Sequence, residues 1–152
     1  MKRIFSVIVA LVLFVSVIPF AGLAVKNDQI WDVIYLPDGY CIVVELHTSP
    51  ARASGTVTGT KTYTCKDDDG TALWKAVLTG GFSYTGSSSS CTSSSCSVTI
   101  YNSNWYTVSK TATKSGNTAT ASVTMGKKVL GVTVSKVPIT INLSCDANGN
   151  LS

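Results

Sequence analysis

The chain has 152 residues, with 12 Lys and Arg against 8 Asp and Glu for a net charge of +4. No Lys/Arg cluster or basic stripe gathers that charge, which excludes a nucleic-acid surface built on electrostatics. Charged residues are only 13% of the chain, against about 25% in an ordinary soluble domain. Ser and Thr are abundant instead, and alternating Thr points to strands rather than helices.

The first element is "MKRIFSVIVALVLFVSVIPFAGLA". Two cations, Lys2 and Arg3, precede an uncharged apolar run from Ile4 to Phe20, and small residues Gly22 and Ala24 close it. This is the layout of a secretory signal peptide, a helix in its apolar part, with cleavage expected after Ala24. Removing Lys2 and Arg3 leaves 10 cations against 8 acids, or +2. If the segment is retained instead, it is long enough to approach the roughly 20 apolar residues of a membrane span, the only route by which this chain is expected to meet a membrane. The expected division is a signal peptide over 1–24, an N-terminal hairpin and linker over 25–54, and a β-sandwich core over 55–152 that forms one domain with 25–54.

Along the mature chain, "YLPDGY" separates "IWDVIYL" from "YCIVVEL". Pro presets one turn angle and Gly accepts positive φ, so the three pieces read as a hairpin. The same stretch lacks the Thr and the C-terminal position of a wall-sorting LPxTG signal. In "TVTGTKTYTCK" the threonines at 56, 58, 60, 62 and 64 form one solvent-facing row, with Val57, Gly59, Lys61, Tyr63 and Cys65 opposite. After "DDDG", the run "TALWKAVLTGGFSY" puts Ala72, Trp74, Ala76, Leu78, Phe82 and Tyr84 on one face. A four-residue loop over 67–70 predicts Tyr63 opposite Trp74 and Cys65 opposite Ala72.

The serine run "SSSSCTSSSC" reads as the loop entering an interior strand, whose inward row is Cys96, Val98 and Ile100. "YNSNWY" is a connection. "YTVSKTATKSGNTATASVTM" predicts a hairpin about Gly116 and Asn117, with Ala119, Ala121, Val123 and Met125 inward. In "KKVLGVTVSKVPITINLSCD" the apolar parity changes between Val134 and Val137, and Pro138, which cannot donate to a ladder, marks the expected break. No segment of the mature chain has a helical period. The fold class is therefore all-β, an antiparallel β-sandwich of seven to nine strands, Ig-like in general architecture.

The runs "SGTVTGTKTYTCKDDDGTALWKAVLTGGFSYTG", "YNSNWYTVSKTATKSG" and "TINLSCDANGNLS" together resemble a group of small, functionally uncharacterised secreted proteins of Gram-positive, clostridia-like bacteria. The resemblance implies secretion and a compact β fold, and it brings no active site. It implies that Cys91 and Cys145 are positions the group shares, whereas Cys41, Cys65 and Cys96 are local additions.

Five cysteines in an exported chain suggest disulfides first. Cys91 pairs either with Cys145, tying the serine run to the last strand, or locally with Cys96. The first pairing leaves Cys65 with Cys96 and makes Cys41 a free thiol. Reduced, buried thiols acting as small apolar residues are the alternative. Zinc wants paired ligands and His, and there is one His; "DDDG" lacks the alternating acids of a calcium loop, and turn propensity explains it. Cys41 and His47 lie six residues apart, about 20 Å on an extended strand, too far for a nucleophile and its base. A single Glu and a turn of Asp provide no carboxylate pair across a cleft. No enzyme activity, cofactor or metal is expected. Trp105 and Tyr106 are candidate ligand-contact aromatics; as strand neighbours they point to opposite faces, and a core Trp capped by a surface Tyr is the plainer arrangement. The expected role is a secreted, non-enzymatic module that binds a cell-wall glycan or a protein surface, or has a structural part outside the cell. The alternative is a secreted antimicrobial or toxin-like β protein.

Overall fold

The computed structural model describes residues 29–49 and 55–152; the expected signal segment and the stretch 50–54 of the expected linker lie outside the described residues. Eight strands run in order: β1 (Gln29–Tyr35), β2 (Cys41–Thr48), β3 (Gly55–Lys66), β4 (Ala72–Tyr84), β5 (Ser89–Ile100), β6 (Trp105–Ser115), β7 (Thr118–Val129) and β8 (Val132–Ser144). They form two antiparallel sheets, ordered β1-β2-β3-β4-β5 and β6-β7-β8. This is the all-β sandwich that the alternating pattern predicts. Each strand lies beside its neighbour in sequence, so the molecule is two meanders joined through residues 101–104, without the Greek-key connections of immunoglobulin domains.

The inward rows close on one core. Trp74, Ala76, Leu78 and Phe82 of β4 meet Ala119, Ala121, Val123 and Met125 of β7 and Ile141 and Leu143 of β8, all buried. Small alanines on β7 let the large rings of β4 approach, which is how facing layers fill space at interior density. The β6–β7 hairpin turns on Gly116 and Asn117, with Ser115 paired to Thr118. Gly116 has φ +54, a conformation that a two-residue hairpin turn of this kind requires.

Three expectations are corrected by the register. In the β3–β4 hairpin, Cys65 pairs with Trp74, Tyr63 with Ala76 and Lys66 with Ala72, a two-residue displacement that preserves which face each row occupies. One residue of it comes from the loop, which spans 67–71 and not 67–70, and the other from Leu73, bulged out of the ladder, whose carbonyl accepts the amides of Tyr101 (2.9 Å) and Asn102 (3.0 Å). The parity change in β8 falls at Val134, skipped between Ser135 paired to Lys127 and Thr133 paired to Lys128. Pro138 instead sits in regular pairing with Thr124 on an edge strand, where its missing N–H takes nothing from the ladder. Lastly, the serine run is a strand: β5 starts at Ser89 and stands at the edge of its sheet, not in its interior.

Alternating strand direction gathers the connections. Residues 36–40, 67–71, 101–104 and 130–131 lie at one end of the sandwich; residues 85–88, 116–117 and 145–152 lie at the other. The second end is stitched. Cys91 donates its amide to Gly116 O (2.8 Å), Cys145 donates its amide to Asn117 O (3.0 Å), and Gly86 donates to Ala147 O (2.8 Å). Asn117 Nδ2 and Ser89 Oγ both donate to Cys145 O, at 2.7 and 2.6 Å. Residues 145–152 fold back as a hook on Asp146, whose carboxylate accepts from Asn148 N, Asn150 N and Asn150 Nδ2, each at 2.8 Å. Those donors, Asn150 foremost, hold the Asp146 carboxyl below its ordinary pKa. Leu151 packs over Gly59, and Gly149, at φ +87, lies against the Tyr84 ring.

Candidate functional site

The first end, joined by the Tyr101 and Asn102 amides on Leu73 O and by Lys128 N on Asn104 O (2.7 Å), holds a cleft built mainly from connections. Residues 36–40 make a tight loop: Pro37–Gly39 is a single 3-10 turn, Gly39 has φ +81, and Leu36 N donates to Tyr40 O at 2.8 Å. The loop turns Tyr40 inward until its ring meets Trp105 edge-on, centroids 5.7 Å apart and planes at 84°. Trp105 in turn rests on Trp74 at 6.0 Å. Lys127, paired to Trp105 across the β6–β7 ladder, donates from Nζ to the Tyr40 hydroxyl, with its ammonium 4.8 Å from the centre of the same ring. The contact combines a hydrogen bond with cation–π attraction.

Tyr40, Trp105 and Lys127 form the shared wall of two lobes. One, of about 240 Å³, is completed by Leu36, Pro37, Ser135, Lys136, Val137 and Pro138. The other, of about 330 Å³, is completed by Asp67, Asp68, Leu73, Asn102 and Asn104. The first lobe is apolar with lysines; the second presents carboxylates and amides. Local geometry fixes the polar side: Asp67 Oδ1 accepts Thr71 N at 2.7 Å, and Asn102 Oδ1 accepts Asn104 N at 2.9 Å. The indole N–H of Trp74, wholly buried behind Trp105, makes no hydrogen bond with the described residues. The bulge at Val134 also matters here, because it precedes the Ser135, Lys136, Val137 and Pro138 stretch of the first lobe.

The sequence candidates separate. Trp105 is 4% exposed, so it walls the cleft rather than offering a flat ring. Tyr106 lies on the opposite face over Gly126, bonded through its hydroxyl to Thr133 Oγ1 at 2.7 Å and capped by the Lys128 ammonium at 4.5 Å. The arrangement is the buried Trp and surface Tyr that strand alternation implies. Tyr40 and Lys127, which complete the wall, stand outside the candidate aromatics. The "YLPDGY" turn was legible, but the direction in which it folds Tyr40 depends on contacts far along the chain.

The cysteines all carry free thiols, so the expected disulfide is absent. Cys91 Sγ donates to Ser93 O (3.3 Å) and Cys145 Sγ to Asp146 O (3.4 Å), even though both residues bond the same turn. Cys91 with Cys96 fails because both lie on one extended strand. Cys65 with Cys96 fails because β4 separates them and Cys96 is level with Leu78 while Cys65 is level with Trp74. That places them about 10 Å apart across the sheet and about 13 Å along it, beyond the reach of a disulfide. Burial raises the pKa of Cys65 to about 12, helped by Cys41 and Asp67. Burial also raises those of Cys91, Cys96 and Cys145, so these four are poor nucleophiles. Cys41, the expected free thiol, and His47 stand at the two ends of the unbroken β2, and no group of three or more His, Cys, Asp or Glu converges as a metal site among the described residues. No protein family, curated protein or solved structure matches the chain.

Proposed function

We propose that this protein is a secreted, non-enzymatic binding module, and that its ligand is a cell-wall glycan held in the cleft of Tyr40, Trp105 and Lys127. The observation that carries the reading is the pairing of an apolar lobe with an amide and carboxylate lobe around one aromatic wall. A pocket with apolar walls and a few convergent polar groups suits small ligands in general; a sugar in particular has a C–H face for Pro37, Val137 and Pro138 and hydroxyls for Asn102, Asn104 and Asp68. The signal-peptide layout of the first 24 residues supports export to where such glycans lie. The test is retention of the purified protein on insoluble cell-wall glycan, wild type against Tyr40→Ala. Retention that depends on Tyr40 is expected; equal retention of both proteins, or of neither, refutes the assignment.

A second reading, a secreted antimicrobial or toxin-like protein, has its own observation. The β7–β8 turn carries Leu130 fully exposed, flanked by exposed Val129, Val132 and Val134, a bare apolar tip of the kind that enters another surface. Growth inhibition or vesicle leakage by the purified protein, lost in Leu130→Asn, would favour it over the glycan module.

A further inference from the structure

The two lobes differ in charge as well as polarity, and the difference orients a ligand. Among the described side chains that line the first lobe, the charged ones are Lys127 and Lys136, and none is a carboxylate. The strands behind it reinforce this: between residues 105 and 144 the sequence holds Lys110, Lys114, Lys127, Lys128 and Lys136 and no Asp or Glu. Asp67 and Asp68 face the other lobe. Lys127 borders both lobes and the 36–40 loop carries one acid, Asp38, so the difference rests on Lys136 lining the first lobe against Asp67 and Asp68 lining the second, and an anionic group is favoured in the first.

We propose that the lobe between residues 36–40 and β8 receives an anionic group carried on a sugar, a carboxylate or a phosphate, while the neutral hydroxyls of the same ligand face Asn102 and Asn104. The proposal rests on the glycan reading and specifies its chemistry. Lys127 is the residue built for the task. Its ammonium has three donors, and the Tyr40 hydroxyl takes one while the Tyr40 ring holds the headgroup in place. A cation already pinned loses less rotamer freedom when an anion arrives. Leu36, Pro37, Val137 and Pro138 surround the lobe with apolar surface, which strengthens a charge-assisted hydrogen bond relative to open water. Tyr40 is thus a positioning residue as well as a wall, and Tyr40→Phe keeps the ring while freeing the ammonium.

The experiment is calorimetric titration of the protein with three probes: a galacturonic acid oligosaccharide, a glycerol phosphate oligomer and the neutral galactose oligosaccharide of matching length. At least one acidic probe is expected to bind about tenfold or more tightly than the neutral one, the loss expected for one charge-assisted bond. Raising the salt concentration should weaken the acidic probe and leave the neutral one. Lys127→Met and Lys136→Met, with unchanged circular dichroism, should bring the acidic probe down to the neutral affinity, and Tyr40→Phe should narrow the gap. Which acidic probe binds identifies carboxylate or phosphate. Equal binding of neutral and acidic probes, or a preference that survives salt and both lysine substitutions, overturns the inference and leaves the glycan reading standing. Failure of all three probes to bind overturns both.

Discussion

The two ends of the sandwich are made from the same material, short loops between Ser- and Thr-rich strands, and both carry backbone bonds between separate elements, yet they differ in what covers them. At the end of residues 116–117 and 145–152, the turn carbonyls of Gly116 and Asn117 each take an amide from a distant strand, and a hook built on Asp146 covers Tyr84 and Gly59. At the other end, the Leu130–Gly131 turn stands in solvent, and Tyr40, Trp105 and Lys127 bound an open cleft. One end is covered by the C-terminal hook; the other leaves a cleft between its connections. Binding residues commonly lie on loops that a rigid scaffold positions, and the closed end helps to keep that scaffold rigid.

The widest effect tests whether the open end opens into the core. Cys65 lies two residues before the Asp67 turn at the cleft end, yet it is buried and its pKa is raised to about 12. Against an ordinary thiol at 9.0, alkylation of native Cys65 at neutral pH should run about a thousandfold slower than that of a free cysteine peptide. The same shift has a linkage consequence. The folded state keeps the proton that the unfolded thiol releases, so this group leaves stability flat below about pH 9 and lowers it from there towards about 12. Mass-resolved alkylation that finds Cys65 labelled along with the half-exposed Cys41 would show a breathing end, contrary to the comparison.

Next comes the stitched end itself. Gly149→Val forces a branched side chain into φ +87 and into a ring whose nearest atom would be 2.5 Å from its Cβ, so a loss of about 3 kcal/mol in urea unfolding is expected. Asn117→Ala removes one of the two side-chain donors to Cys145 O and should cost about 1–2 kcal/mol. At the open end the sign reverses. Leu130 holds φ +50 with its side chain fully exposed, so Leu130→Asn should raise stability by about 0.5–1 kcal/mol, the Asn-Gly pair being the favoured sequence for this turn. Smallest of all is Asn104→Ala, an exposed side chain at the cleft, expected within about 0.5 kcal/mol of wild type by thermal unfolding while weakening retention on glycan.

Periodicity made the strands readable. Ala119, Ala121, Val123 and Met125 can share a face only in a strand, and the Gly116–Asn117 turn follows from the two runs beside it. Bulges escaped, because a single extra residue such as Leu73 or Val134 is decided by what its freed backbone meets elsewhere. Leu73 is displaced to serve Tyr101 and Asn102, about thirty residues on, and nothing local announces it. The serine run was misplaced for a related reason: turn-forming residues suggest a loop, yet pairing with β4 and docking on the Gly116 carbonyl outweigh their local preference. The cleft was half legible. Trp105 and its neighbourhood drew notice, but Tyr40 and Lys127 are separated by 87 residues and become partners only once both sheets have formed.

Gln29 and Ser152 both lie at the stitched end, since β1 runs towards the cleft and β8 runs away from it. A tether joined before the first strand or after the last residue would hold the molecule by its closed base. The cleft would then point away from the attachment, as a grip points away from its handle. For immobilisation on a sensor surface, or fusion to a reporter, attachment directly before Gln29 or after Ser152 should leave the cleft accessible.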